Sequence, residues 1–282
     1  MHAVSDLDAE ADFYARAGFT VGARNRHPPA WGTQNHIVQL PGCFVELLAM
    51  ADTSAIVPHG ERHFSFGAFN RDFLARGQGL SMLVLEGQDS AAEAQAFRSA
   101  GIGDFDLFDF ARDARRPDGS PTKVAFTLAF ARDAAAPDIG FFTSRQHYPE
   151  NFWNPAFQNH ANGVTGIAGI VLVADRPQDH RAFLAAFTGA NVAANTSGIT
   201  AKTPRGDIDV IEPASFTRRF SAKPPPTAGG ARLAALRFAV GNLATARAAL
   251  QAGKIGFSEQ AQRLVVGPDL AFGATLVFEA AP

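Results

Sequence analysis

Apolar and polar positions along the chain fall into a block that recurs four times. The first copy opens with HAVSDL, and a helix is predicted from Asp6 to Ala17. Ser5 or Asp6 caps it, acids occupy its first turn, and Phe13, Tyr14 and Ala17 share one face. Gly18 stops the helix in the manner of a left-handed C′ residue. Three strand-like runs follow, FTVGARN, QNHIVQL and CFVELLAM, the last two joined by a turn at Pro41-Gly42. The second copy restarts at LSMLVLE (80–86), with a helix from Asp89 to Ala100, Gly101 as its stop, and strands near 104–112, 122–132 and 139–146. The third restarts at IAGIVLVA (167–174), with a helix to Thr188, then Gly189, and strands ending in ITAKTPRG and DIDVIEP. The fourth starts at LAALRFAV (233–240), with Asn242 as cap, Gly253 as stop, and strands ending in LVVG and ATLVFEA.

One strand, one helix and three strands, repeated, predict four βαβββ modules in an α+β chain. A doubly wound sheet would alternate single strands with helices. Two irregular stretches interrupt the repeat: 51–79, with His59, His63 and several Phe, and YPENFWNPAFQNHAN (148–162). The second stretch divides the chain, giving expected domains at 1–150 and 166–282 with a connector at 151–165.

Composition narrows the classes of function. The 282 residues suffice for two cores. A net charge of −2 gives no reason to expect nucleic acid or an anionic membrane as partner. No stretch approaches the roughly 20 apolar residues of a membrane span, and no basic-then-apolar leader opens the sequence, so a cytoplasmic protein is expected. Phe (25) far outnumbers Tyr (2) and Trp (2), which suits cores and apolar pocket walls. The single cysteine, Cys43, lies in an apolar run and reads as a small buried side chain.

The run NRHPPAWGTQNHIVQL followed by FVELLA resembles the glyoxalase-like domain family, whose members carry a similar Arg-x-His-Pro…Trp-Gly-Thr-x-Asn hairpin and a Leu-Glu-Leu strand. TPRGDIDVIEP resembles the matching hairpin of a third module. The resemblance implies the vicinal oxygen chelate (glyoxalase, bleomycin-resistance and dioxygenase) fold. In that fold, modules pair into two cup-shaped, curled-sheet domains whose concave side holds a small molecule. The superfamily includes lyases, isomerases, dioxygenases and drug-sequestering binders, so the fold does not choose the chemistry.

The resemblance also implies where a divalent metal would sit: on a His or Glu of a module's first strand and a Glu of its fourth. The fourth-strand position is filled by Glu46, Glu212 and Glu279. The first-strand position falls on Ser81, Gly169 and Ala235, none of them a useful ligand. His2 lies at an odd offset and is expected on the opposite sheet face. The expected pocket of the first domain gathers Glu46 and His147 as catalytic or metal-ligating groups, and Trp31, Asn35, Ser81, Arg145 and Gln146 as substrate contacts. His147 competes with a surface reading; His27 and His36, which flank the Trp31-Gly32-Thr33 turn, are expected to be structural. One divalent ion and a metal-free cup are equally compatible with the sequence. No phosphate loop, nucleophile elbow or zinc-spaced Cys/His pair is present.

Three functions fit: an enzyme acting on a small oxygenated molecule with Glu46 as base or ligand, a non-catalytic small-molecule binder, or a degenerate structural partner. The second domain is expected to be silent. The chain is expected as a monomer or homodimer with a small-molecule ligand. The first module supplies only Met1–Val4 before Ser5, against about eight residues in the other modules. Met1 is therefore expected to be an internal or miscalled start.

Overall fold

The computed structural model of the protein describes residues 1–115 and 120–281. The first module runs β1 (His2–Ala3), α1 (Leu7–Arg16), β2 (Asn25–Arg26), β3 (Thr33–Leu40) and β4 (Cys43–Met50), followed by a helix, α2 (Phe66–Arg76). The second runs β5 (Gly79–Leu80), β6 (Met82–Glu86), α3 (Ser90–Ser99), β7 (Phe108–Arg115), β8 (Pro121–Ala131) and β9 (Gly140–Gln146); a short α4 (Pro149–Phe152) opens the connector. The third comprises β10 (Val164–Val173), α5 (Arg181–Thr188), β11 (Val192–Asn195), β12 (Gly198–Thr203) and β13 (Gly206–Ile211), then α6 (Pro213–Phe220). The fourth comprises β14 (Arg232–Val240), α7 (Leu243–Ala252), β15 (Ser258–Gln260), β16 (Arg263–Val266) and β17 (Thr275–Ala280).

The helices start where the caps predict. Asp6 accepts from the Ala9 amide at 3.0 Å, Asp89 from the amides of Ala91 and Ala92, and Asn242 from Ala244 at 2.8 Å, each satisfying donors left open in a first turn. The run 19–25, expected as a strand, is one only at its end. Gly22 donates to the Ile37 carbonyl at 2.8 Å, and only Asn25 and Arg26 ladder onto β3. The stretch 51–79, read as irregular, contains α2, with Ser65 as its cap.

Pairing, which the sequence left open, is between neighbours. β1 runs antiparallel to β5, with His2 opposite Leu80, and so joins modules one and two. β10 runs antiparallel to β14 along its length, joining modules three and four in one eight-stranded sheet. The four-stranded sheet β6-β9-β8-β7 and the five-stranded sheet β2-β3-β4-β1-β5 form the first cup. A continuous buried core ties the two cups together: Phe19 packs at a tilt on Phe238, 4.9 Å between ring centroids, and Phe141 edge-on to Phe183 at 4.7 Å. Among the described residues no helix is long and apolar enough to cross a membrane.

Helices α2 and α6 follow the fourth strands of modules one and three and close the two cups differently. In the second cup, Phe216 and Phe220 of α6 are fully buried against Val171, Val173 and Ala235. In the first cup, Phe66, Phe69 and Phe73 of α2 fill one end with Trp31 and Phe130 and leave the rest open.

Candidate functional site

Strand alternation decides which side chains reach the first cup. On β4, Val45, Leu47 and Ala49 join the core beneath α1, which turns Phe44, Glu46 and Leu48 to the concave face. On β3 the concave positions are Asn35 and Ile37, opposite Leu48 and Glu46 in register. On β7 and β8 they are Phe110, Arg112, Thr122, Val124, Phe126 and Leu128, and on β9 Phe142, Ser144 and Gln146. A cleft of about 1410 Å³ opens here and runs on past the cup to 203–208 in the third module. The connector forms one wall. It is strapped to β3 by Gln39, whose amide donates to the Phe152 carbonyl at 2.8 Å and whose Oε1 accepts from the Asn154 amide at 3.0 Å. His160 completes the strap, its Nδ1 accepting from the Thr20 amide and its Nε2 donating to the Gln39 carbonyl.

Glu46 lies at the floor of this cup, 6% exposed. Its Oε1 accepts from the Asn35 amide at 2.6 Å, and the His27 Nε2 stands 3.7 Å away. The second hydrogen of the Asn35 amide faces His27 Nε2 at 3.1 Å, while His27 Nδ1 pairs with the Thr33 hydroxyl at 2.8 Å. Because Asn35 donates to Nε2, the imidazole proton belongs on Nδ1. Burial holds the His27 pKa below the ordinary histidine value, and the Arg112 charge adds to the lowering, while Glu46 opposes both. His27 is therefore a neutral imidazole near pH 7. Among the described residues no Arg or Lys pairs with Glu46.

Local sequence builds this corner. The loop after β2 returns through Pro28 and Gly32, with the Trp31 amide donating to the Pro28 carbonyl at 2.9 Å. Gly32 has φ +61°, and a Cβ there would stand 2.5 Å from the Asp52 carbonyl, so only glycine fits. The turn drives Trp31 inward, where it packs on Phe66 at 4.7 Å and on His27 at 4.9 Å.

Trp31, Asn35, Glu46 and Gln146 come together on the cup wall. The other expected site residues lie elsewhere. Ser81 is fully buried and donates to the Asn70 side chain of α2, because the strand breaks between β5 and β6 and turns it away from the concave face. His147 is exposed on the convex side. Its Nε2 pairs with the Thr127 hydroxyl at 2.7 Å, and Thr127 in turn donates to Asp109. Arg145 is exposed and borders the outer cleft, but its register partner Thr127 is on that same convex side. Three consecutive residues of one strand cannot all face one cup. His2 is turned toward α1 as expected, its Nδ1 2.7 Å from Glu10. Cys43 is half-buried on the cleft wall, with its thiol pKa pushed up by burial. His36 donates to the Gly22 carbonyl, a structural role. His27, expected to be structural, is a member of the floor cluster. The sequence signal for it was the Arg-x-His-Pro run, which fixed the loop but not the direction of the ring.

In the second cup the inward carboxylates are Asp209 and Glu279, not Glu212. Glu212 lies beyond the end of β13, at the start of α6, and is exposed. Arg237 is 9% exposed and bridges the two, reaching Glu279 at 2.5 Å and Asp209 at 3.1 Å. Arg219 of α6 also reaches Asp209, at 2.8 Å, and Arg263 reaches Glu279, at 2.6 Å. A Cβ on Gly169 would stand 2.8 Å from the Arg237 guanidinium, so the first-strand glycine makes room for it.

The donors present do not fit a resident divalent ion. Among the described residues no three His, Cys, Asp or Glu side chains converge. In the first cup the Asn35 amide occupies both His27 Nε2 and Glu46 Oε1, and in the second a guanidinium stands between the carboxylates.

Solved structures share this architecture. A hypothetical protein from Staphylococcus aureus superposes with a TM-score of 0.65 at 10% identity, over 99% of this chain and 97% of its own. A triple mutant of 4-hydroxymandelate synthase from Streptomyces coelicolor gives 0.61 at 11% identity, over 100% and 92%. At such identities the likeness concerns the fold alone. Curated proteins provide no match. The model of the glyoxalase-like domain matches residues 1–188, which include the whole first cup with its Glu46 floor. The chain belongs to the glyoxalase-like domain family.

Proposed function

We propose that the first cup binds a small oxygenated organic molecule and that the protein acts on it as a lyase or isomerase, with Glu46 taking a proton from the ligand. The observation that carries this is the state of Glu46: a buried carboxylate with one amide donor, no Arg or Lys partner among the described residues, and an aromatic cleft before it. The Met1 amino group, also buried, faces it but is held down to a pKa of about 6 by burial. A carboxylate paired to Arg would be a poor acceptor; the second cup's Asp209 and Glu279 are in that condition. In the first cup the Asn35 amide fixes the carboxylate's orientation. Neutral His27 holds Asn35 in turn, so the floor is set before a ligand arrives.

The test is hydrogen exchange at carbon. A panel of small hydroxy- and keto-carbonyl compounds is incubated with the protein in D₂O and followed by NMR. The expected result is exchange catalysed by the wild type and slowed about 10²–10⁴-fold in Glu46→Gln, the range of a positioned base. Binding without exchange in either protein would instead favour a sequestering binder, for which the Phe-rich wall is the supporting feature.

A further inference from the structure

The cup has two unlike ends, and the difference defines the ligand it takes. At the floor, Glu46 supplies a negative charge, and a ligand anion there would meet it at close range. At the mouth stands Arg112, on the hairpin β7–β8. Three arginines border the cleft. Arg205 is paired with Glu86, and Arg145 is on a convex strand position, which leaves Arg112 as the guanidinium turned into the cup. Arg112 is exposed, and its one side-chain contact among the described residues is a long hydrogen bond to the Asn25 side-chain amide oxygen Oδ1 at 3.4 Å, with no carboxylate paired to it. Thr122, on the neighbouring strand and the same face, carries a buried hydroxyl with no hydrogen-bond partner. Unmet buried hydroxyls are uncommon, and this one is diagonal to Arg112 in the ladder, next along the same face from Val124, the register partner of Arg112, which suits a shared anionic oxygen. Between floor and mouth, Phe110 and Phe126 lie nearly parallel, 6.3 Å apart between centroids, with Phe152 edge-on to Phe126 at 5.8 Å.

We propose that the ligand is a small carboxylic acid with a planar apolar body. Its carboxylate is held by Arg112 and Thr122 at the mouth, its body lies along Phe110, Phe126 and Phe152, and its far end reaches Glu46. The proposal rests on the first cup being the functional site and adds the ligand's class and direction. Arg112 is one alternation step beyond Phe110 on β7, about 7 Å along the strand, so the anionic group lies past the ring stack on the same face.

The experiment is calorimetric titration of the full chain with three isosteric probes: 3-phenylpropanoate, 3-phenylpropanamide and 3-phenylpropylamine. The acid should bind about tenfold more tightly than the amide and more tightly still than the amine, the scale of one charge-assisted hydrogen bond at a partly exposed position. Arg112→Gln should erase the preference for acid over amide, and Thr122→Val should weaken the acid alone. An amide or amine that binds as well as the acid overturns the proposal, as does an Arg112→Gln variant with the preference intact, or no binding by any probe at millimolar concentration. Acid binding that depends on Arg112 without catalysed exchange on any carbonyl compound would sink the enzymatic reading and leave this one standing.

Discussion

His27 shows how one side chain's ionisation can report on the whole floor. Three influences act on it: burial and the Arg112 charge lower its pKa, and Glu46 raises it. The folded value thus lies below the ordinary histidine value of about 6.5. Between the two values the unfolded chain binds the proton and the folded one does not. His27 therefore costs stability as pH falls through about 6.5 and costs nothing above it. The imidazole resonances of His27, followed by NMR, should titrate below that ordinary value. Arg112→Gln removes a lowering influence and should move the midpoint up; Glu46→Gln removes the raising one and should move it down. Shifts of the same sign in both variants would show that the two charges do not face His27 as the structure places them. The acid limb of any activity that needs neutral His27 should follow the same midpoint.

At the scale of elements, the two cups differ in how a helix closes them. Helix α2 approaches the Trp31 turn so closely that a Cβ on Gly67 would stand 2.2 Å from the Trp31 carbonyl oxygen. Two effects compete in Gly67→Ala. Alanine gains about 1 kcal/mol of helix propensity, but the contact is with backbone and cannot be relieved by rotating a side chain. The steric effect should win. The variant should unfold at lower urea concentration, by about 1–3 kcal/mol as for an overpacked core, and should bind first-cup ligands more weakly because Trp31 is displaced. A stability increase would mean that the helix sits further from Trp31. Neither α2 nor α6 was legible in the sequence, because each lies outside the βαβββ repeat and its apolar positions, such as Phe216 and Phe220, read equally well as loop anchors. The repeat itself was legible, since Asp6, Asp89 and Asn242 cap helices at matching places and apolar alternation marks the strands around them. Glu46 was legible for the same reason: its neighbours Val45 and Leu47 are core, so it faces the other way. His147 was not, because the alternation of β9 puts it with Thr127, and pairing between strands far apart in sequence leaves no local trace. The position of Asp209 was missed because DIDVIEP offers carboxylates at odd and even places, and only the ladder with β10 shows which one points inward.

Across the whole molecule, the same fold is used once with a carboxylate that has no arginine partner among the described residues and once with its carboxylates matched by arginines. Arg219, Asp209, Arg237, Glu279 and Arg263 form a continuous chain of ion pairs across the second cup, tying β13, β14, β16, β17 and α6 together. Arg237 is its centre and the most enclosed of the three cations, its side chain 11% exposed against 26% and 27% for Arg219 and Arg263. Arg237→Met would keep most of the apolar volume and remove the bridge. Asp209 would retain Arg219 and the Thr200 hydroxyl, and Glu279 would retain Arg263, so neither carboxylate would be stranded. Their mutual repulsion, however, would lose the charge that separates them. Removing one partner of a buried pair costs about 3–5 kcal/mol, and the surviving contacts place this variant at the lower end. The midpoint of urea unfolding should fall accordingly, while binding to the first cup stays within about twofold, because distant sites without shared partners act independently. An unchanged midpoint would mean that the outer arginines alone neutralise the cup. Weakened binding in the first cup would mean that the shared core transmits the disturbance from one cup to the other.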